Sequence, residues 1–452
     1  MKDDLLQLRG ADQLLGRVAD ALQAMEMPGE GFITSRLGEY TRFAGDRIHQ
    51  PQAIEECQLM VRAAGAHGGA RAGTTRLESA AAAGREASRL ARGLTVLGGG
   101  RQALARPGQR VDTSSLWHQG TLDFTAPARA ALAARAIHDA GGVRATACGM
   151  FSRVVIELAV GNSEGVALYT RATEASFSVL VRRDEGSGYR GDLVRDVGTV
   201  EPERFIEGAV ADAVLSGHPE PLAPGSYDVV LGPLAVGDMI GFFGSLGFTG
   251  DALAAGHGPV AQRRGVRVAD DMITVRDDAS RPTGLPIPFD LEGVAKQNVT
   301  MLDQGRIGDA VLDLGTATTL GRESTGHAHI GREEAPAPTP ANLMLEPGDA
   351  SVAELVAGVD RGVYLSRFWY TRLVDGEQSS ITGVSRDAAF WIRDGALGPP
   401  VANGRFTEQV SGALSRADGV GKDLVSQPIP NVWNGCVTAP ALRVRGFHLG
   451  FR

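Results

Sequence analysis

The sequence predicts an α+β protein: an N-terminal antiparallel sheet with helices on one face, followed by a β-rich C-terminal domain with a few helices. Three observations carry this reading. The 452 residues exceed what one hydrophobic core usually fills, so two domains are expected. Four β-type runs, 143–147, 153–160, 165–170 and 175–182, follow a helical stretch with turn residues between them. From Arg361 onward, β-type runs and turns dominate.

Leu14, Leu15, Val18, Leu22 and Met25 share one face of residues 12–25, which marks an amphipathic helix. Residues 32–47 alternate as a strand pair that turns at Gly38 or Gly45. Residues 58–63 read as another strand, ending in Gly65, Gly68 and Gly69. The Ala-rich stretch 75–94 predicts a helix packed along Leu77, Ala81, Leu90 and Leu94. Pro127 suits the first turn of a helix that runs to about Asp139 and stops at Gly141 and Gly142. Among the β runs that follow, Asn162, Ser163, Glu164 and Gly165 supply a turn. Residues 184–188 form a polar break. The expected division is an N-terminal α+β domain at 1–190, a connecting region at 191–225 and a β-rich domain at 226–452.

In the second half, residues 227–233 read as a strand that turns into a helix at Pro233, and the helix covers 234–246. Residues 298–302 and 310–313 read as a hairpin around Asp303, Gln304 and Gly305. It runs into a polar loop bracketed by Gly321 and Gly326, either a plain connector or a working loop. Pro336, Pro338 and Pro340 stiffen the next segment. Ser351 and Glu354 fit a capping box for a helix at 352–359. A β run starts at 361–365, a helix is expected at 407–417 and a closing strand at 439–444.

Net charge is −8, and only Lys2, Lys296 and Lys422 among the basic residues are lysine. No dense basic patch stands out, so no nucleic-acid partner is expected. Cys57, Cys148 and Cys436 are an odd, scattered set, which fits a reducing cytoplasm. No run approaches the ~20 apolar residues that span a bilayer, and no signal core opens the chain, so neither membrane nor export is expected. His49, His67, His118 and His138 lie far apart and read as surface or satisfied polar residues.

The wording of 282–330 is distinctive. Phe289 and Asp290 lead to Glu292, Gly293 and Val294; Thr316 and Ala317 lead to Leu320 and Gly321; then come Ser324, Thr325, Gly326 and Ala328. These phrases, with Asn342 and Leu343, the Pro347, Gly348, Asp349 run and the Trp391 to Gly395 run, resemble the TldD/PmbA family. The resemblance is marked from about Asp228 to Arg452 and loose before it. One departure stands after Gly383, where Val384, Ser385, Arg386 and Asp387 replace the family's usual wording.

The family resembled is linked to a zinc peptidase of two related subunits, one of which carries the metal. In that sister subunit a His-Glu-x-x-x-His segment and a Cys in a Cys-Gly-Lys context supply the ligands and the base. Laid on this chain, those positions fall on Gly241, Phe242, Leu246 and Val420. The chain therefore looks like the TldE/PmbA-type subunit: no catalytic residue and no cofactor of its own, with zinc expected in a TldD-like partner. The resemblance also implies a peptide substrate. Arg322, Ser324, Thr325, Gly326, His327 and His329 are the candidate chamber-lining residues, Arg322 facing a peptide carboxylate. Three alternatives stay open. The chain is a stand-alone peptide-binding or scaffolding homodimer, or His327 and His329 share a metal, or Ser324 is a nucleophile beside His327. Cys436 reads as a packing thiol.

Overall fold

Long strands build the first half of the chain. The computed structural model describes residues 8–65, 68–94, 103–113, 115–331, 335–376, 378–430 and 432–450, with the backbone alone at 245 and 246. The reading of His67 lies outside the described residues. After α1 (Ala11–Gln23) come β1 (Gly29–Gly45), β2 (Arg47–Gly65) and β3 (Gly68–Thr74). Next are α2 (Ala80–Gly93), the one-turn α3 (Gln119–Leu122), α4 (Ala126–Gly142), β4 (Thr146–Asn162), β5 (Ala167–Arg183), β6 (Gly186–Val194) and α5 (Pro202–Leu215). The six strands form one antiparallel sheet in the order β3-β2-β1-β4-β5-β6.

Strand alternation assigns the two faces. Ile33 and Phe43 of β1 and Ala147, Phe151 and Ala159 of β4 point to the helices, with α1 and α2 over one end of the sheet and α4 and α5 over the other. The expected placement of helices on one face holds. Phe32, Leu158 and Val160 point to the opposite face and meet Ile287, Phe289 and Leu291 from the second half. Each such buried side chain contributes about 1.5–3 kcal/mol, as an upper estimate.

Several elements differ from the sequence reading. The four β runs are two long strands, β4 and β5. Their polar middles broke the apolar pattern, yet they are paired inside: Ser152 and Ser176 lie 2.6 Å apart through their hydroxyls. Arg129 and Arg153 both donate to Glu39, at 2.8 and 2.9 Å. Gly45, at φ 68°, makes the β1–β2 turn, whereas Gly38 stays extended inside β1. On α2 the buried face is Ala80, Ala83, Gly84, Ala87 and Ala91, and Leu90 is exposed. The small residues won because α2 lies against α1: a Cβ on Gly84 would stand 2.0 Å from the Ala21 carbonyl oxygen. Helix propensity favours Ala by about 1 kcal/mol, but overpacking against backbone costs about 1–3 kcal/mol. Gly84→Ala is therefore expected to lower the urea midpoint, with a net loss of up to about 2 kcal/mol. An unchanged midpoint would contradict this packing.

Residues Asp184 and Glu185 turn β5 into β6. The expected limit at 190 falls inside β6, and 191–225 holds the end of β6 and α5, which pack on the first sheet.

The second half opens with β7 (Gly225–Leu231) and α6 (Pro233–Gly247), followed by α7 (Gly250–Ala254) and α8 (Gly258–Arg263). Then come β8 (Val275–Asp277), β9 (Val299–Asp303), β10 (Arg306–Ile307), α9 (Leu314–Leu320), β11 (Ala328–Ile330), β12 (Pro336–Pro338), β13 (Asn342–Leu345) and α10 (Val352–Ala357). The chain closes with β14 (Arg361–Asp375), β15 (Ser380–Arg393), β16 (Ala396–Pro400), β17 (Arg405–Gln409), α11 (Val410–Ser415), β18 (Ala417–Val420), β19 (Val425–Pro428), β20 (Cys436–Ala439) and β21 (Leu442–Leu449).

Pairings β7–β14, β14–β15, β15–β17, β17–β21 and β21–β7 complete a ring, so these five strands close into a small barrel. Phe368, Phe406 and Phe447 are buried together in the adjoining core. A second sheet, β10-β9-β8-β13-β20-β19, carries α6. The helix expected at 407–417 is shorter: 405–409 is strand because Thr382 and Thr407 pair across β15 and β17. β9 pairs with β10 and β8, and residues 310–313 lead into α9 with Asp313 as its cap. The capping box of Ser351 and Glu354 is present. Among the described residues, no helix is long and apolar enough to cross a membrane.

Candidate functional site

Pro233 starts α6 straight after β7, because its fixed φ suits the first helical turn. Three glycines one turn apart then let the helix lie close on the second sheet. A Cβ on Gly237 would meet Gln427 of β19 at 2.7 Å, and one on Gly244 would meet Leu343 of β13 at 2.7 Å. Between them, Gly241 faces Val437 of β20, 3.8 Å from the position a Cβ would take. Phe242 is half-buried against the core and Val420 is buried in it. The Leu246 side chain lies outside the described residues. Glycine, phenylalanine and valine carry no side-chain lone pair for a cation and no basic group for water, so these positions do not fit zinc. Among the described residues, no group of three or more His, Cys, Asp and Glu side chains is placed to hold a metal ion.

On α6, Asp238 accepts hydrogen bonds from Thr371 at 2.8 Å and Gln427 at 3.0 Å. Burial pushes its carboxyl up to about 6, with those two donors opposing.

The loop after α9 is clasped to the strand-like segment before it. Ser324 Oγ donates to the Leu312 carbonyl at 3.1 Å and accepts from the Gly326 amide at 3.1 Å. Thr325 Oγ1 accepts from the Leu312 amide at 2.7 Å and lies 3.1 Å from its carbonyl oxygen. Gly326, at φ 72°, fits against Ala295, whose carbonyl oxygen would stand 2.5 Å from a Cβ. Ser324, Thr325, Gly326, His327 and His329 are all buried, so five of the six expected lining residues face the interior of this chain. Arg322 is partly exposed, but it makes a two-pronged pair with Asp309, at 2.9 and 2.5 Å. The Ser324 hydroxyl is spent on backbone, which does not leave it free as a nucleophile, and Thr325 Oγ1 also lies 3.0 Å from His327 Nδ1.

Around the two histidines the structure gathers residues far apart in sequence. Asp277 Oδ2 accepts from the Ala341 and Asn342 amides, at 2.6 and 3.1 Å. Its Oδ1 lies 3.4 Å from Lys296 Nζ and 3.2 Å from His327 Nε2. Burial disfavours the Asp277 charge, but Lys296, His327 and the Asn342 amide hold its carboxyl well below the usual range. His327 is kept neutral by burial and by Lys296, with Nδ1 2.8 Å from the Thr325 carbonyl oxygen. His329 is pushed down to about 3 by burial and Lys296, and its Nε2 meets the Trp433 carbonyl at 2.5 Å. The His327 ring thus lies between Asp277 and Thr325, and the His329 ring meets the Trp433 carbonyl, so the two imidazoles do not converge on one ion.

A second buried cluster sits where the 282–330 stretch meets the first sheet. Arg62 donates from Nε to Glu30 at 2.7 Å, and its Nη2 lies 3.7 Å from Glu292. Glu292 accepts from the Leu314 amide at 2.8 Å. Asp290 accepts from the amides of Glu292, Val294 and Ala328, at 3.0, 2.9 and 2.9 Å. Burial raises Glu292 well above the usual range, and Glu30 and Asp290 add to the effect. Burial likewise lifts Asp290 to about 7.

Asp277, Glu30 and Arg62 were not singled out by the sequence reading, and Asp290 and Glu292 entered it only as part of the family's wording. One signal was available for the first: Lys296 is one of three lysines in the chain and lies between two apolar runs.

Compared with known proteins, residues 224–450 match the PmbA/TldA metallopeptidase C-terminal domain. A metalloprotease of Methanothermobacter thermautotrophicus is 27% identical over 274 residues, 58% of this chain and 59% of that protein. Metalloprotease PmbA of Escherichia coli O157:H7 is 24% identical over 297 residues, 63% of this chain and 62% of that protein. The chain thus spans about three fifths of the length of the curated relatives it matches. The crystal structure of TldE from Thermococcus kodakarensis superposes with a TM-score of 0.84 at 18% identity, over 96% of this chain and 99% of that one.

Proposed function

The chain belongs to the PmbA/TldD metallopeptidase family, and from that premise we propose that it is the non-catalytic, TldE-type member of a two-subunit zinc peptidase. In this reading a TldD-like companion holds the zinc and hydrolyses short or unfolded peptides. This chain completes the chamber and docks the substrate. The observation that supports it most is the donor set on α6 and β18, where Gly241, Phe242 and Val420 occupy the positions at which a catalytic relative needs ligands and a base. Three cysteines without disulfides fit a reducing cytoplasm.

Reconstitution tests the proposal. The chain, a TldD-like protein from the same host and their mixture are each assayed on an unfolded peptide with and without a chelator. Chelator-sensitive cleavage is expected in the mixture, together with co-elution on size exclusion. Cleavage by the chain alone, or no co-elution and no change in the companion's activity, would contradict it. A homodimer that ignores the companion would favour the scaffolding alternative.

A further inference from the structure

We propose that the outer half of the β14–β15 hairpin is a docking surface for peptide segments that carry carboxylates beside apolar side chains. The inference rests on the peptide-docking reading above and adds the class of peptide to it. β14 pairs with β7 only from Gly362 to Leu365; beyond that point it pairs with β15, and the buried Thr371 bonds Asp238 of α6. On this free portion Trp369, Tyr370, Leu373 and Val374 are exposed, Tyr370 at 68%. An apolar cluster of this kind on a water-facing strand marks an interaction site.

The backbone holds the cluster outward at a cost. Tyr370 has φ 53°, a left-handed conformation that non-glycine residues rarely take, in an irregularity of the pairing between Trp369 and Arg372.

Charge selects the occupant. The Arg367 and Arg386 guanidiniums each lie 5.1 Å from the Trp369 ring centre, and Arg372 lies 5.7 Å from that of Tyr370. Arg367 also sits 4.0 Å from the Tyr189 ring, and its donors are taken by Asp387. Arg372 and Arg386 are exposed, and among the described residues no carboxylate stands in ion-pair range of either. A guanidinium over a ring keeps in-plane N–H groups for a carboxylate, and among the described residues Arg372 spends only one of its own, from Nη1 to the Thr371 carbonyl at 2.8 Å. Arg367 with Asp387 is the chain's own example of that arrangement. An acidic segment would repeat it at Arg372 and Arg386, with its apolar side chains on Trp369, Tyr370, Leu373 and Val374.

The test uses the full chain and dye-labelled peptides alternating leucine with glutamate, with glutamine or with lysine, followed by fluorescence anisotropy. The glutamate peptide is expected to bind on the order of tenfold more tightly than the glutamine peptide, and the lysine peptide more weakly still. Added salt should narrow the difference. The exposed double variant Arg372→Glu, Arg386→Glu should erase the preference, and Trp369→Ala should weaken the glutamate and glutamine peptides alike. Equal binding of those two peptides, or a preference untouched by charge reversal, would overturn the inference and leave peptide docking standing. Binding of none of the peptides would overturn both. Loss of a homodimer on Trp369→Ala would assign the hairpin to a second copy of the chain and overturn the inference as well.

Discussion

Asp277→Ala is expected to cost about 3–5 kcal/mol of folding stability, the range for breaking a buried pair from one side. The magnitude follows from what remains. The Lys296 side chain is 3% exposed, and it would lose the carboxylate that stands 3.4 Å from its ammonium. The Ala341 and Asn342 amides would lose their acceptor, and each bond to a charged group is worth about 1.5–3 kcal/mol. Lys296→Met should cost a comparable amount, because it leaves the carboxylate alone beside a neutral imidazole. The double variant should cost less than the sum of the two, since removing both charges also removes the unpaired one. Urea unfolding of the four proteins measures the coupling. Strict additivity would show that the pair is not the interaction assigned here. The Asp277 carboxyl is depressed, so its contribution is present above its ordinary value of 3.8 and is lost only as pH falls through the still lower folded value. No part of this effect should vary between pH 6 and pH 8.

Arg62→Met is the second large expectation, and there pH decides the size. Glu30, Arg62 and Glu292 are each less than a tenth exposed, and Arg62 is the cation bonded to Glu30 and nearest Glu292. Burial raises the carboxyls of Glu30, Glu292 and Asp290 in the folded chain, Asp290 to about 7. A carboxyl with a raised folded value binds its proton more tightly when folded. The stability it lends is full below the unfolded value and is lost as pH rises through the folded one. Native stability should therefore fall between about pH 6 and pH 8 across this cluster. Without Arg62 the loss should be steeper. The substitution is expected to cost about 3–5 kcal/mol at pH 8 and clearly less at pH 5.5, where Asp290 holds its proton and the cluster carries less negative charge. Arg71 lies near enough to act on Glu30 and softens the effect without cancelling it. Denaturant midpoints at the two pH values check this. A cost that is the same at both, or larger at pH 5.5, would contradict the arrangement.

How much of this was legible in sequence follows from how local each feature is. Helix α1, the proline start of α4, the turn at Asn162 to Gly165, the passage from β7 into α6 and the Ser351–Glu354 capping box are written within a few residues. The length of β4 and β5 was not, because Ser152, Glu157, Thr173 and Glu174 interrupt the apolar pattern and find their partners elsewhere in the chain. Barrel closure depends on β7 meeting β14 and β21, which lie more than a hundred residues later. The packing of 75–94 was read only in part for a related reason: Leu77 of the expected stripe is buried, whereas Leu90 is exposed because contact with α1 selects the small residues. For the candidate site, the stretch 282–330 was rightly singled out as central, since it joins the two halves through Ile287, Phe289 and Leu291. The roles of its side chains depended on Asp277 and on the Leu312 backbone, which no spacing within the loop reveals.

Metal content of the chain purified alone, measured by mass spectrometry after incubation with excess zinc and desalting, tests the central claim most directly. The expected result is zinc far below one equivalent per chain and no chelator-sensitive cleavage of an unfolded peptide. One equivalent of retained zinc, with cleavage that a chelator abolishes, would contradict it.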